Sequence, residues 1–124
     1  MWSKQVQTAV KRGYAAKRGS ADGSIVPATD GSTPSILVYA EGTSDVGAST
    51  SVGDMVTVLT DVDDRESFAQ YGATVQDWQF LMPTSGGSLI PCTTGNYYCA
   101  QALQGGASGT VGRVRPAQGF LKTS

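Results

Sequence analysis

The stretches 23-GSIVPATDG-31 and 87-GSLIPCTTG-95 follow one pattern: Gly-Ser, two aliphatic residues, Pro, a small residue, Thr, a variable position and Gly. Pro27 and Pro91 cannot donate a hydrogen bond to a neighbouring strand, so each is expected to end a strand or to lie at a sheet edge. The Thr and Gly that close both stretches favour turns. The repeated pattern therefore predicts a short strand followed by a turn, present twice in the chain.

A second pair of stretches extends this repeat. The stretches 49-STSVGDM-55 and 108-SGTVGRV-114 share Ser, then Ser or Thr, Val, Gly and an apolar residue in the same order. An apolar run that ends in Gly precedes each of them, 36-ILVYAEG-42 in one case and 99-CAQALQG-105 in the other. Two matches in the same order, with an apolar run between them, favour a duplicated unit over chance.

The chain is expected to divide into an N-terminal arm and one β domain. We assign the basic docking arm to residues 1–22 and the single β domain to residues 23–124. The domain contains the repeat units 23–60 and 87–116, which residues 61–86 connect. The 16 glycines and the charged fraction of only 15% suit short strands joined by turns. We predict a mainly β fold, a small β-barrel or sandwich-like domain built from two repeated β units with one short helix, plus an extended or partly helical N-terminal arm.

The connector carries two competing patterns. Asp63 and Glu66 resemble the capping box at a helix N-terminus, with Asp in place of Ser or Thr. Helical spacing on one face follows, formed by Phe68, Tyr71, Val75 and Trp78. A strand at 76–82 is the alternative, and its aromatic residues would then share one side. We expect one or two helical turns near 64–71 and then this strand, with the aromatic side chains in the core.

The N-terminal segment is basic, because all of its charged residues before Asp22 are Lys or Arg. From Asp22 to Asp77 the chain has ten acids and one base, Arg65. A basic segment on an acidic body indicates an arm that docks on an acidic partner, and a solvated, poorly ordered terminus is the alternative. Deleting residues 1–18 is then expected to leave the β domain folded. The residues expected to dock on such a partner are Trp2, Lys4, Val6, Lys11, Arg12, Tyr14, Lys17 and Arg18.

The patterns that would indicate catalysis or metal binding are incomplete. The chain contains no His, which removes the commonest general base and metal ligand. The acidic cluster lacks the central Gly and the final Glu of a calcium loop, so a solvated surface is favoured over a metal site; its members are Asp61, Asp63, Asp64 and Glu66. The glycines of 105-GGASG-109 are not followed by the Lys of a phosphate-binding loop. We therefore expect no enzyme activity, no catalytic residue, no metal and no cofactor.

Cys99 lies in the stretch 95-GNYYCA-100, whose Tyr-Tyr-Cys-Ala run is typical of an immunoglobulin strand, and Cys92 precedes that stretch. An immunoglobulin disulfide joins strands that most of a domain separates, and Cys92 and Cys99 are too close together for it. A bridge across a hairpin turn is the alternative to two free thiols. Disulfides are rare in cytoplasmic chains, and the repeat puts the apolar residues Ala28 and Ile36 at the matching positions. We therefore expect no disulfide, with both cysteines free.

The sequence shows no pattern typical of a secretory signal or a transmembrane helix. Residues 1–20 carry charges throughout and contain no continuous apolar run, unlike a secretory signal. No window approaches the roughly 20 apolar residues of a transmembrane helix. We therefore expect synthesis in a cytoplasm and no membrane partner.

The segment 86-GGSLIPCTTGNYYCAQALQGGASGTVGRVRP-116 resembles the C-terminal signature of head decoration (capsid cement) proteins of tailed bacteriophages. That signature has a Pro after an aliphatic strand, a Thr/Gly turn, an Ala-x-Ala-Leu run, a Gly/Ala turn and a closing Val-rich strand. The matching residues are Leu89, Pro91, Gly95, Ala100, Ala102, Leu103, Gly105, Gly109, Val111 and Val114. Residues 21–60 resemble a looser version of the same unit. Tyr98 and Cys99 depart from the family pattern, which has Gly or Val in the middle strand.

The resemblance implies a structural virion protein on the exterior of an assembled capsid, made in the host cytoplasm. The partners it implies are the major capsid protein and further copies of the chain, with a trimer favoured; a nucleic-acid partner is not expected. We expect a self-association or partner face at Tyr97, Tyr98, Arg113 and Arg115. The alternatives are another virion part, such as a tail-tube or head–tail joining protein, and a module that binds nucleic acid or a host surface.

Overall fold

The first half of the chain forms a closed five-stranded barrel. The computed structural model describes residues 2–60, 63 and 65–122. The barrel strands are β1 (Trp2–Val6), β2 (Ala15–Arg18), β3 (Ser24–Pro27), β4 (Ile36–Val38) and β5 (Met55–Leu59). They are arranged in the order β1-β3-β2-β4-β5, and β1 pairs with β5 to close the ring.

The second half forms another five-stranded sheet. Its strands are β6 (Ser67–Gln70), β7 (Phe80–Pro83), β8 (Leu89–Pro91), β9 (Tyr97–Ala102) and β10 (Val111–Phe120). They follow the order β6-β10-β9-β7-β8. An isolated parallel bridge between Tyr71 and Leu89 links the two edges of this sheet at one end.

The two sheets share one pattern of strand pairing. The antiparallel pairs β2–β3, β2–β4, β4–β5 and β1–β5 have counterparts in β7–β8, β7–β9, β9–β10 and β6–β10. The parallel contact between β1 and β3 pairs Val6 with Ile25. Its counterpart in the second sheet is the Tyr71–Leu89 bridge. Strand n of the first half therefore occupies the same place as strand n + 5 of the second.

Backbone hydrogen bonds outside the strands repeat in the same way. The amide of Gly13 donates to the carbonyl of Val38 at 2.9 Å, and the amide of Trp78 donates to that of Ala102 at 2.8 Å. Equivalent positions therefore include the turns that join the strands.

The turn before the last strand of each half shows that the predicted match of 49–55 with 108–114 needs correction. The amide of Gly53 donates to the carbonyl of Val6 at 2.8 Å, and that of Gly109 donates to the carbonyl of Tyr71 at 2.9 Å. Gly53 is thus equivalent to Gly109, so the predicted match of 49–55 with 108–114 is out of register. Turns rich in Gly, Ser and Thr occur close together here, and the letters alone selected the wrong one.

The predicted N-terminal arm is wrong as a separate element, because residues 1–22 include two strands of the closed barrel. Val6, Val10, Ala15 and Ala16 of this segment are buried. In each half one strand, β2 or β7, lies between two strands of the predicted repeat unit and pairs with both. The predicted units 23–60 and 87–116 therefore omit the first two strands of each half.

The helix predicted near 64–71 is also wrong. Residues 67–70 form β6, in which Ser67 and Ala69 are buried and the two residues between and after them are half-buried. Pairing with β10 determines the conformation despite the helical spacing of the aromatic residues. Among the described residues the helices are two three-residue 3₁₀ turns, Thr43–Asp45 and Ser85–Gly87. None of these helices is long and apolar enough to cross a membrane.

The strand predicted at 76–82 begins later than expected, at Phe80. Trp78 lies in the preceding turn, where its φ is 71° and it is 64% exposed. Of the four residues in the expected helical face, Tyr71 and Val75 are buried, while Trp78 is not in the core. The helical spacing of these residues therefore identified part of the core but wrongly placed Trp78 in it.

The core consists of two clusters. The interior of the first barrel holds Val6, Val10, Ala16, Ile25, Val38, Val56 and Val58. The larger cluster combines residues of the second sheet with four from the first half, which are Ala15, Ala28, Leu37 and Leu59. The two halves are therefore joined through a shared core.

Tyr71 fills much of the space inside the second sheet. Its hydroxyl donates to the carbonyl of Gln104 at 2.5 Å. The ring lies directly beside Gly112, leaving no room for a side chain there. Burial, with a smaller contribution from Asp77, raises the pKa of Tyr71 to about 12. The phenol is consequently neutral at physiological pH.

Candidate functional site

One end of the first barrel is open and forms a cavity of about 630 Å³. Ile25, Ile36 and Val58 form the apolar part of the lining; Ile36 is half-buried, and the other two are buried behind it in the barrel core. The lining also includes the charged residues Lys4, Lys17, Arg18 and Asp22, together with Trp2. We call this feature the first-barrel mouth.

Strand alternation explains why Trp2 and Lys4 line the mouth. Successive side chains of a strand point to opposite faces, so Trp2 and Lys4 share a face with Val6. Val6 is in the barrel core, whereas Trp2, at the start of the strand, is 57% exposed. The Lys4 ammonium lies 4.9 Å from the centroid of the Trp2 ring, a cation–π distance. A large aromatic surface and a positive charge thus lie together at the opening.

The remaining charges make the mouth cationic. The Arg18 guanidinium donates to a carboxylate oxygen of Asp22 at 2.8 Å, and both side chains are exposed. Exposed ion pairs of this kind contribute little to stability because water screens them. Lys4, Lys17 and Arg18 outnumber the single carboxylate of Asp22 in the lining. The charge distribution suits an anionic partner.

The structure divides the predicted docking residues into three groups. Trp2, Lys4, Lys17 and Arg18 come together at the first-barrel mouth. Val6 is buried in the barrel interior. Lys11, Arg12 and Tyr14 lie between β1 and β2, where the Lys11 ammonium is 5.4 Å from the centroid of the Tyr14 ring. Val6 is therefore unsuitable for contact with a partner, and the other three residues do not line the mouth.

Sequence reasoning missed the apolar part of this site. Ile25, Ile36 and Val58 lie on three different strands that close pairing brings to one opening. The available signal was the exposed Trp2 at one end of a segment that also contains Val6. If the alternating residues Trp2, Lys4 and Val6 are taken as one face of a strand, Trp2 is expected at the end of a barrel.

The four residues of the predicted self-association face make contacts with other residues of the second half. The Tyr97 ring makes an edge contact with Phe120 at 4.8 Å between centroids. Tyr98 stacks on Phe80 at 4.3 Å. Arg113 and Arg115 lie on β10, where they pair with Phe68 and Gln101.

The two arginines have partners within the chain. The Nε of Arg113 lies 3.3 Å from a carboxylate oxygen of Glu66, and its guanidinium lies 5.6 Å from the Phe68 ring centroid. The Nε of Arg115 donates to Oε1 of Gln101 at 2.7 Å. Both arginines remain exposed, so their guanidinium groups are still accessible to a partner.

The structure describes the acidic segment only in part. Asp63 accepts a hydrogen bond from the amide of Thr60 at 2.8 Å, as a turn residue does. Asp61 and Asp64 lie outside the described residues. In the part of the chain that the structure describes, no group of three or more His, Cys, Asp or Glu side chains is arranged to hold a metal ion.

Both cysteines are free thiols in the structure. The hairpin alternative does not apply, because β7 lies between β8 and β9. Cys92 follows β8, and its amide donates to the carbonyl of Phe80 at 2.8 Å. Burial raises the pKa of both thiols, to about 12 for the fully buried Cys99, so neither is a thiolate nucleophile at neutral pH.

Comparison with known proteins adds no assignment to this geometry. No protein-family model and no curated protein matches the chain. The function must therefore be inferred from the first-barrel mouth and from the sequence pattern of residues 86–116.

Proposed function

We propose that the protein is a structural virion protein that binds the outer surface of an assembled phage capsid and stabilises it. The observation that carries this proposal is the first-barrel mouth, where an exposed tryptophan and three cations surround apolar surface. Large aromatic residues and Arg are the side chains that dominate binding energy at protein interfaces. The resemblance of residues 86–116 to decoration proteins supplies the partner, a capsid exterior.

The architecture suits a protein that must stay attached to a capsid under internal pressure. In a closed barrel each strand is paired on both sides, so the docking side chains stand on a stiff support. Rigid interfaces lose little conformational entropy on binding. Docking through the mouth then requires no large rearrangement of the barrel.

The major capsid protein is the partner we propose, with the capsid exterior as the location. Stabilising a shell also requires contacts between neighbouring decoration subunits. Tyr97, Tyr98, Arg113 and Arg115 remain our proposed surface for self-association, and a trimer suits the symmetry of local three-fold positions on a shell. We propose a non-enzymatic role for this protein.

We further infer that the two halves are copies of one five-stranded unit. The matching strand pairs and the paired bonds of Gly13 and Trp78 support this duplication. The similar stretches 23–31 and 87–95 support it at the level of sequence, since they begin at β3 and β8. Duplication gives each half of the chain an equivalent sheet end. The end in the first half, the first-barrel mouth, is available for a partner.

Co-sedimentation with purified empty capsids of the encoding virus tests the proposed function. The full chain should pellet with the capsids at a saturating ratio to capsid subunits and should raise the temperature at which the capsids disassemble. A matched sample of duplex DNA at the same ionic strength controls for simple charge attraction. Retention by DNA with no binding to capsids would refute the decoration role and favour a nucleic-acid module.

A further inference from the structure

We propose that the first-barrel mouth binds an acidic segment of the partner protein that inserts a large apolar side chain beside Trp2. The inference rests on the proposed function and names the chemistry of the docking site. In the second half of the same chain the corresponding end of the sheet, which we call the second mouth, is already filled.

Strand register identifies the corresponding position. Trp2 pairs with Val58 in the first barrel, and Ser67 pairs with Val114 in the second sheet. Ser67 therefore stands where Trp2 stands. Ser67 is 1% exposed, against 57% for Trp2, whereas their partners Val114 and Val58 are both fully buried. The position is closed in one half and open in the other.

The first half covers the closed position. The hydroxyl of Ser67 accepts from the amide of Ala40 at 2.9 Å and lies 3.2 Å from the Ala40 carbonyl, to which it can donate. Two leucines of the first half, Leu37 and Leu59, belong to the same buried cluster as Val114. The neighbouring residues of the second sheet are buried as well; they are Ala69, Pro83, Ala100 and Pro116. Protein surface thus fills the second mouth.

A second copy of the chain does not suit the open mouth in the same packing mode. Leu37 and Leu59, which belong to the covering surface, are paired across β4 and β5. The corresponding pair across β9 and β10 is Gln101 and Arg115. A second copy that presented this pair would bring Arg115 to a rim that already carries an excess of cations. Like charges at an interface oppose association.

A partner segment with carboxylates has the complementary chemistry. Carboxylates would pair with Lys4, Lys17 and Arg18, whose charges only Asp22 offsets within the lining. The cavity of about 630 Å³ has room for an aromatic or a large aliphatic side chain against the half-buried Ile36 and the exposed Trp2. Such an insertion would bury Trp2, as Leu37 and Leu59 help to bury the second mouth. The ligand class is therefore an apolar protein segment flanked by Asp or Glu.

Capsid co-sedimentation of matched tryptophan variants tests this inference. Trp2→Ala should bind capsids at least about 10-fold more weakly than the unchanged chain, because interface tryptophans are frequent hot spots. Trp78→Ala is the control, since Trp78 is similarly exposed but lies in a turn of the second half. Lys17→Glu should also weaken binding and offers a second variant if Trp2→Ala unfolds, which thermal unfolding of each free variant will reveal.

The outcomes separate the two proposals. Capsid binding by the unchanged chain, Trp2→Ala and Lys17→Glu with equal affinity would overturn the mouth as docking site and leave the decoration role standing. Failure of the unchanged chain to bind capsids would overturn both. Light scattering covers the other occupant: a multimer that Trp2→Ala converts to single chains would assign the mouth to a second copy and overturn the inference.

Discussion

Gly13 and Trp78 occupy equivalent turns and have nearly the same φ angle. Their φ angles are 77° and 71°, in the left-handed region that Gly adopts readily and other residues adopt at a cost. Trp78 is the one residue other than Gly with positive φ among those the structure describes. The second half therefore keeps a turn geometry that suits Gly while carrying a large side chain.

Substitutions at these two equivalent positions should have opposite effects. Trp78→Gly should raise the free energy of unfolding by about 1 kcal/mol, because it relieves an unfavourable φ at an exposed site. Gly13→Ala should lower it by roughly 1–3 kcal/mol, since the new Cβ would lie 2.9 Å from the Phe68 carbonyl oxygen in a strained conformation. Urea denaturation measures both changes, and a loss of stability in Trp78→Gly would show that its side chain contributes more than the strain removes.

Tyr71 and Gly112 form a matched pair of large and absent side chains. Gly53 and Gly109 donate to the carbonyls of Val6 and Tyr71, so Tyr71 stands where the first barrel has Val6. Ala69 pairs with Gly112 as Lys4 pairs with Val56, so Gly112 stands where the first barrel has Val56. The two halves fill equivalent space with two valines in one case and with a tyrosine facing a glycine in the other.

A double-mutant cycle tests this compensation. Gly112→Ala should destabilise the protein by roughly 1–3 kcal/mol, because the Tyr71 ring occupies the space of the new methyl group. Tyr71→Val alone should cost about 3 kcal/mol through the cavity it leaves. The double variant should be more stable than the sum of the two losses by at least about 1 kcal/mol. Additivity within about 0.5 kcal/mol would contradict the contact.

Strands β1 and β2 are the elements that differ most from the structure predicted from the sequence, which was a separate N-terminal arm. Their sequences, WSKQV and AAKR, are rich in polar and charged residues, which resembles a solvated arm. Pairing of β1 with β5 and of β2 with β3 and β4 makes them necessary parts of the barrel. The exposed charges lie at the mouth or outside, while Val6 and Ala16 face the core.

Deletion of residues 1–18 should therefore unfold the first barrel, contrary to the expectation of a separable arm. The deletion removes two of five strands and leaves the apolar interior of the barrel open to water. Circular dichroism and thermal unfolding of the truncated chain measure the effect. Cooperative unfolding at the temperature of the full chain would contradict the role of β1 and β2 in the barrel.

Several elements were predictable because their local patterns agree with the fold. Strands β3 and β8 follow from the repeated Gly-Ser-aliphatic-aliphatic-Pro pattern, and the mainly β fold with a barrel follows from short strands and many turns. Strand β6 was not predictable in this way, since the helical spacing of Phe68 and Tyr71 competes with a strand that pairing alone stabilises. Closure of the barrel depends on contacts between distant segments, which local spacing does not encode.

At the scale of the whole molecule, the two halves differ in what covers their ends. The second mouth is buried in the shared core, and the first mouth remains open with Trp2 at its edge. Charge and aromaticity pointed to four of the residues that line the first-barrel mouth, but the apolar residues Ile25, Ile36 and Val58 of the lining come from strands distant in sequence. This asymmetry between equivalent ends is the basis of the proposed docking on a capsid.

Cryo-electron microscopy of empty capsids saturated with the full chain tests the central proposal most directly. We predict density for the protein on the outer surface of the shell, with the first-barrel mouth and Trp2 turned toward a capsid subunit and the second sheet turned away from it. Absence of this density, or density in which the first-barrel mouth faces solvent, would contradict the account.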